Sequence, residues 1–226
     1  MRQTFENNLK RLHEDVLILG SMVEAAIVNS VETLSQRSKA GSRQIIVGDE
    51  RINAKRFAIE NTTLTLIATQ QPMAGDMRVL ASILDIVTEL ERIGDYAKGI
   101  AKINLMMGDA PLIKPLVDIP LMASKACDML HAALEAFIKR DIQMARQIPG
   151  RDDEVDDLYN QVYHELLELI MADTKTLNQA TQLLWVAHNL ERSADRVTNI
   201  CERIIYTVTG EMVELDEDEK LLAVTA

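Results

Sequence analysis

Aromatic side chains are scarce: Phe, Tyr and Trp make up 4% of the 226 residues, and Trp185 is the only tryptophan. Sheet cores draw on aromatic and β-branched residues. Here Leu, Ile, Val, Ala and 11 Met must fill the interior, a palette that suits helix packed on helix. The shortage also argues against a stacked cofactor. Nine Gly and five Pro leave long stretches without a breaker. The two cysteines, Cys127 and Cys201, are far apart in helical patterns and read as reduced core thiols rather than a disulfide. Positive charge is in deficit, 24 Lys and Arg against 35 Asp and Glu, a net −11. That excludes nucleic acid as a natural partner and disfavours plain binding to anionic lipid. It leaves cations, or the basic surface of another protein. No apolar run approaches the roughly 18–20 residues of a membrane span, and the N-terminus has no apolar signal region. The expectation is a cytoplasmic protein that meets the membrane only through partners.

What is present is helical periodicity. From about Thr4 to Arg37, Leu9, Leu12, Val16, Leu19, Val23, Ile27, Val31 and Leu34 recur at spacings of three and four. Lys39-Ala40-Gly41-Ser42 reads as a break. A second helix spans roughly Arg43 to Thr69, and Gln70-Gln71-Pro72-Met73-Ala74-Gly75 turns the chain. A third spans roughly Asp76 to Met106. Gly108-Asp109-Ala110-Pro111, with Pro115 and Pro120, is the one proline-rich stretch and the natural linker. Three more helices follow, near Leu121–Arg140, Asp152–Ala172 and Lys175–Thr209, before an acidic tail that reads as loose.

The second half repeats the first. At an offset of 100, Leu190-Glu191-Arg192-Ser193-Ala194-Asp195 falls on Leu90-Glu91-Arg92-Ile93-Gly94-Asp95. At an offset of 103, Arg146-Gln147-Ile148 falls on Arg43-Gln44-Ile45, and Asp152, Val155 and Asp156 fall on Asp49, Ile52 and Asn53. Long helices joined by short turns pack as antiparallel neighbours. The predicted fold is all-α: two tandem three-helix bundles, residues 1–108 and 121–210, joined by a linker at 109–120 and followed by the tail at 211–226. Whether the bundles stack end to end or side by side is left open by the sequence.

On the third helix Ile83, Ile86, Val87, Ile93, Gly94, Ala97 and Ala101 share the side of Leu90, while Glu91 and Asp95 fall together on one flank. Four residues apart, they are separated by about 6 Å along the axis. Glu191 and Asp195 repeat this beside Leu190, Ala194 and Val197. A lone Glu-x-x-x-Asp is ordinarily a solvated face. Recurrence at one helical position in both repeats lowers that reading. So does the acidic start of each second helix, Asp152 with Asp156 and Asp49 with Asn53. Antiparallel packing brings Asp49 level with Glu91 or Asp95, so that four oxygen-bearing side chains face one another across a groove. Such a cluster calls for a cation, and Mg²⁺, Mn²⁺, Fe or Zn²⁺ accept carboxylate ligands.

Histidine adds little. His188, one turn before Glu191, is either an extra ligand or a packed surface residue, and His13, His131 and His164 fit no ligand pattern. The Glu-x-x-His signature of di-iron bundles is absent. Asp95-Tyr96-Ala97-Lys98 reads as helix surface rather than acid–base machinery. No phosphate-cradling Gly-rich loop and no Ser/His/Asp or Cys/His arrangement is found.

With Leu90-Glu91-Arg92-Ile93-Gly94-Asp95-Tyr96-Ala97 and its repeat, the chain resembles the PhoU family of bacterial phosphate-transport accessory and regulatory proteins. Gln71-Pro72-Met73-Ala74-Gly75-Asp76-Met77-Arg78, Thr198-Asn199-Ile200-Cys201-Glu202 and Thr209-Gly210-Glu211 extend the resemblance over nearly the whole chain. It implies two three-helix bundles, a cytoplasmic location, often a homodimer, and damping of phosphate uptake and of the phosphate-starvation response. The implied partners are the transporter's ATPase subunit and a membrane sensor histidine kinase. It also implies divalent or trivalent metal at Glu91 and Asp95, Glu191 and Asp195, Asp152 and Asp156, and Asp49 with Asn53. Asn199 joins this set through the Thr-Asn-Ile motif. Asn53 departs from a full acidic pair, and Gly99 stands where the second repeat has Asn199. The second site is therefore expected to bind metal more tightly. The resulting expectation is a non-enzymatic regulator. A carboxylate-bundle metalloenzyme and a metal-free helical adaptor are the competing readings.

Overall fold

The computed structural model describes residues 2–215, and among them there are α-helices and short 3₁₀ turns but no strand. The seven helices are α1 (Arg2–Ser35), α2 (Lys39–Gln70), α3 (Ala74–Met106), α4 (Asp118–Lys139), α5 (Ile142–Gln147), α6 (Asp152–Ala172) and α7 (Leu177–Thr209). The first bundle is α1, α2 and α3. The second is α4, α6 and α7, with the short α5 and a 3₁₀ turn at Pro149–Arg151 standing where the first bundle has the unbroken start of α2. Pro149 and Gly150 supply that interruption.

The apolar stripes face inward as their spacing requires. On α1, Leu12, Val16, Leu19, Val23, Ile27, Val31 and Leu34 are all buried, and so are Leu183, Val186, Ala187, Leu190, Ala194, Val197 and Cys201 on α7. Part of α1, within Gln3–Ser35, is long and apolar enough to cross a membrane by length and composition, contrary to the reading that no run comes close. One stripe of α1 lies against α2, α3 and α4 in one shared core, while Leu17, Ile18 and Val28 are exposed.

The bundles lie side by side. The third helices α3 and α7 form the most extensive helix pair, and α1 packs on α4. In this seam Asn199 Nδ2 donates to Glu89 Oε2 at 3.2 Å, and Arg196 reaches the same oxygen at 3.4 Å. Arg92 donates to the other Glu89 oxygen at 2.5 Å. Ser82 and Thr207 join hydroxyls across the seam at 2.8 Å. Gly99 faces the Asn189 amide across the seam, where an added Cβ would stand in ordinary contact at 3.4 Å. The linker is clamped to α7 by Gln179, which accepts from Ile113 N–H at 2.5 Å and donates to the Pro111 carbonyl at 2.9 Å.

Three boundaries differ from the sequence reading. The break between the first two helices is Gln36–Ser38, and Lys39-Ala40-Gly41-Ser42 is already helical. A tertiary knot fixes this point. Arg37 takes a left-handed φ of 54° and donates to Asn104 Oδ1, while Asn104 Nδ2 donates to the Thr33 carbonyl at 2.9 Å and to Ser42 Oγ at 2.8 Å. Ser38 then caps α2 by accepting from Gly41 N–H at 3.2 Å. Gly41 is there for close approach: a Cβ would meet Thr33 Cγ2 at 2.4 Å. The fourth helix begins at Asp118 rather than Leu121, because Pro120 falls in its first turn, where an N–H has no intrahelical partner. Glu211–Leu215 is packed rather than loose. Val213 and Leu215 rest on the core, and Leu215 N–H donates to Glu202 at 2.9 Å. The remainder of the tail lies outside the described residues.

Candidate functional site

Helix lengths set the register of the acidic residues. Asp49 lies 21 residues before the end of α2, and Asp95 lies 21 residues after the start of α3. The short turn between these antiparallel helices therefore brings the two level. Both are within electrostatic reach of Glu91. In the second bundle Glu191 on α7 is likewise influenced by Asp195 and by Asp156 of α6. Each repeat thus assembles an acidic groove between its second and third helices.

The grooves differ in what neutralises them. In the first, Asp49 is 3% exposed, and its Oδ2 accepts from Lys98 Nζ at 2.6 Å and from Asn53 Nδ2 at 3.0 Å. Lys98 also lies 3.4 Å from Asp95 Oδ1. Arg56 of α2 stands 3.1 Å from Glu91 and 3.0 Å from Glu60. Burial still raises the Glu91 carboxyl above its ordinary range, with Arg56 opposing and Asp95 and Asp49 adding to the rise. Lys98 is thus a groove residue, not the bland surface its sequence context suggested. Comparison of the repeats holds the signal that finds it. Position 198 is Thr, and the position matching Arg56 is Tyr159.

In the second groove Glu191 is pushed up to about 7, first by burial, then by Asp195 and Asp156, with Arg192 opposing. Its Oε2 is buried without a hydrogen bond, and His188 Nδ1 stands 3.3 Å away. Asp195 is paired with Arg192 at 3.1 Å. The His188 ring lies edge-on to Trp185 at 5.8 Å and tilted against Tyr159 at 6.3 Å, between the groove and the surface. Asn199 is placed elsewhere, in the seam on Glu89, and Gly99 faces the same seam.

Whether these donor sets suit a metal ion depends on what already satisfies them. Among the described residues no three His, Cys, Asp or Glu side chains converge closely enough to hold an ion as they stand. The second groove fits a cation by donor chemistry: a buried carboxylate oxygen without a hydrogen bond, raised by two further carboxylates. There Asp156, Glu191 and Asp195 carry the carboxylate oxygens that hard and borderline cations accept. The first groove also holds a buried carboxylate oxygen without a hydrogen bond, Asp49 Oδ1, but the Lys98 ammonium lies on the other oxygen of the same carboxylate and the Arg56 guanidinium on Glu91.

Comparison with known proteins agrees with the repeat. The family model described as the PhoU domain matches twice, at residues 16–103 and 119–204. A phosphate-specific transport system accessory protein PhoU homolog from Clostridium acetobutylicum is 38% identical over 217 residues, 96% of this chain and 99% of that protein. The accessory protein PhoU of Escherichia coli is 32% identical over 97% of this chain and 92% of its own length. The crystal structure of the phosphate transport system regulatory protein PhoU from Streptococcus pneumoniae superposes with a TM-score of 0.86 at 33% identity, covering 93% of this chain and all of that one.

Proposed function

This chain belongs to the PhoU family, and we propose that it damps phosphate uptake and phosphate-starvation signalling through protein–protein contacts, holding divalent metal in its second acidic groove. The observation that carries the regulatory part is the match of both repeats, over nearly the whole chain, to proteins named phosphate-specific transport system accessory proteins. The partners that fit are the ATPase subunit of the phosphate transporter and a sensor histidine kinase. The protein acts as a cytoplasmic homodimer that reaches the membrane through them. The metal part is supported by the half-buried Glu191, whose Oε2 is buried without a hydrogen bond, and by its acidic neighbours. Metal would relieve their mutual repulsion, and the chain's own contribution is a rigid pair of helices that holds the carboxylates at fixed spacing.

Co-purification with the ATPase subunit and the kinase from the same organism tests the regulatory reading. Recovery of either, together with derepression of a phosphate-starvation promoter when the gene is deleted in high phosphate, supports it. Recovery of neither, with an unchanged promoter, overturns it.

A further inference from the structure

We infer that the first acidic groove is filled by the chain's own cations, Lys98 above all, and that it is a metal-independent site whose resident Lys98 and Arg56 have uncharged counterparts, Thr198 and Tyr159, at the matching positions of the second groove. The inference rests on the reading of these grooves as cation sites, and it concerns why only one of them takes an added ion.

Position and burial carry it. The Asp49 side chain is 4% exposed, and the Lys98 ammonium sits on it at 2.6 Å. Lys98 also reaches Asp95 at 3.4 Å, so one ammonium bridges a carboxylate from each helix of the groove. Bridging carboxylates from two elements is the role a bound metal ion takes. Asn53 completes the arrangement by giving Asp49 an amide donor at 3.0 Å where a second carboxylate would add repulsion. Arg56 does the same for Glu91 at 3.1 Å, its guanidinium held also by Glu60 and laid 4.9 Å from the Phe57 ring. A metal ion entering here would have to expel a tethered ammonium whose effective concentration is set by the helix that carries it.

The second repeat replaces each of these features. Thr198 stands for Lys98, Tyr159 for Arg56, Tyr163 for Glu60, and Asp156 for Asn53. At these positions on two helices the second repeat lacks both cations, has one carboxylate, Asp156, where the first has Asn53, and lacks the carboxylate of Glu60. The second groove keeps Arg192 on Asp195 at 3.1 Å, a pair within α7, but has no Lys or Arg at the positions matching Lys98 and Arg56.

The test uses the full-length protein stripped of metal with chelator, then titrated with Mn²⁺ and read by native mass spectrometry. Mn²⁺ bound to the wild type should vanish in E191Q/D195N. K98N should take up additional Mn²⁺, and that gain should disappear in K98N/D49N. A metal-free readout stands beside it: K98N should lower the melting temperature, and D49N/K98N should recover most of the loss, because the buried charge is then gone. Mn²⁺ retained by E191Q/D195N but lost on adding D49N overturns the inference, as does K98N that gains no Mn²⁺ and melts like the wild type. If the wild type binds no Mn²⁺ at all, the metal reading of the second groove falls. The inference about Lys98 is then decided by K98N alone, upheld by a gain and overturned by none.

Discussion

Asn199 on α7 donates to Glu89 on α3, and the residues 100 positions away from each, Gly99 and Asn189, face one another across the same seam. Glu89 is the hub of this contact, with Arg92, Arg196 and Asn199 all on its two oxygens. Truncation to Ala would leave partly buried guanidinium groups without their carboxylate. We expect E89A to destabilise the protein by about 1–3 kcal/mol, and N199A by less. Urea denaturation followed by circular dichroism reads both. Equal and negligible losses would remove Glu89 from its place in the seam.

Stability should depend on pH through Glu191 in the metal-free protein. Its folded carboxyl titrates near 7 against an ordinary 4.5. Below about 4.5 the group is protonated in both folded and unfolded chains and adds no penalty. Between 4.5 and 7 the folded chain keeps a proton that the unfolded chain releases, so stability falls as pH rises. Above 7 the full cost of the buried charge stands. Asp195, Asp156, Arg192 and His188 surround the group. The informative quantity is therefore the difference between wild type and E191Q, measured by chemical denaturation from pH 5 to 8. It should shift in favour of E191Q with rising pH; a flat difference contradicts the burial of Glu191.

The Asn104 knot should matter more than an exposed amide. N104L keeps the branched shape of the side chain but removes the amide that Arg37 and Ser42 both contact. The expected cost is about 1–3 kcal/mol, with the turn between α1 and α2 the first region to lose amide-exchange protection. Protection of residues 36–42 equal to that of the wild type would show that the turn closes without it.

Both thiols should be slow to react. Burial pushes Cys127 and Cys201 up to about 12, so little thiolate exists near neutrality. Ellman's reagent at pH 8 should label neither quickly in the native protein and both after denaturation. Rapid native labelling of Cys201, which is fully buried, would mean that α7 opens on the timescale of the assay.

The helices and their repeat were legible because the buried stripes of α1, α3 and α7 write their 3.6-residue period directly into the chain. The acidic grooves were legible as pairs, since Glu91 with Asp95 and Glu191 with Asp195 are local spacings repeated in order. What escaped depends on partners distant in sequence. Lys98 and Arg56 are ordinary surface residues until α2 folds onto α3. The break at Gln36–Ser38 is set by Asn104, 67 residues from Arg37. Asn199 seemed a groove residue by motif, yet its helical face turns it to the seam. Side-by-side packing follows from how α3 and α7 present their apolar faces to one another, which neither repeat shows alone.

The seam between α3 and α7 pairs position 89 with 199 and position 99 with 189. It is isologous, the geometry of a twofold dimer. A free-standing single repeat would carry the surface needed to bind another copy of itself. The chain is in this sense a homodimer joined end to start, with Gln179 pinning down the join. Covalent linkage also lifts a constraint. In a true homodimer every change appears twice, whereas here Lys98 could persist opposite Thr198 and Gly99 opposite Asn199. Two grooves lined by different side chains on one pseudo-twofold scaffold are open to a covalent pair and closed to a strict homodimer.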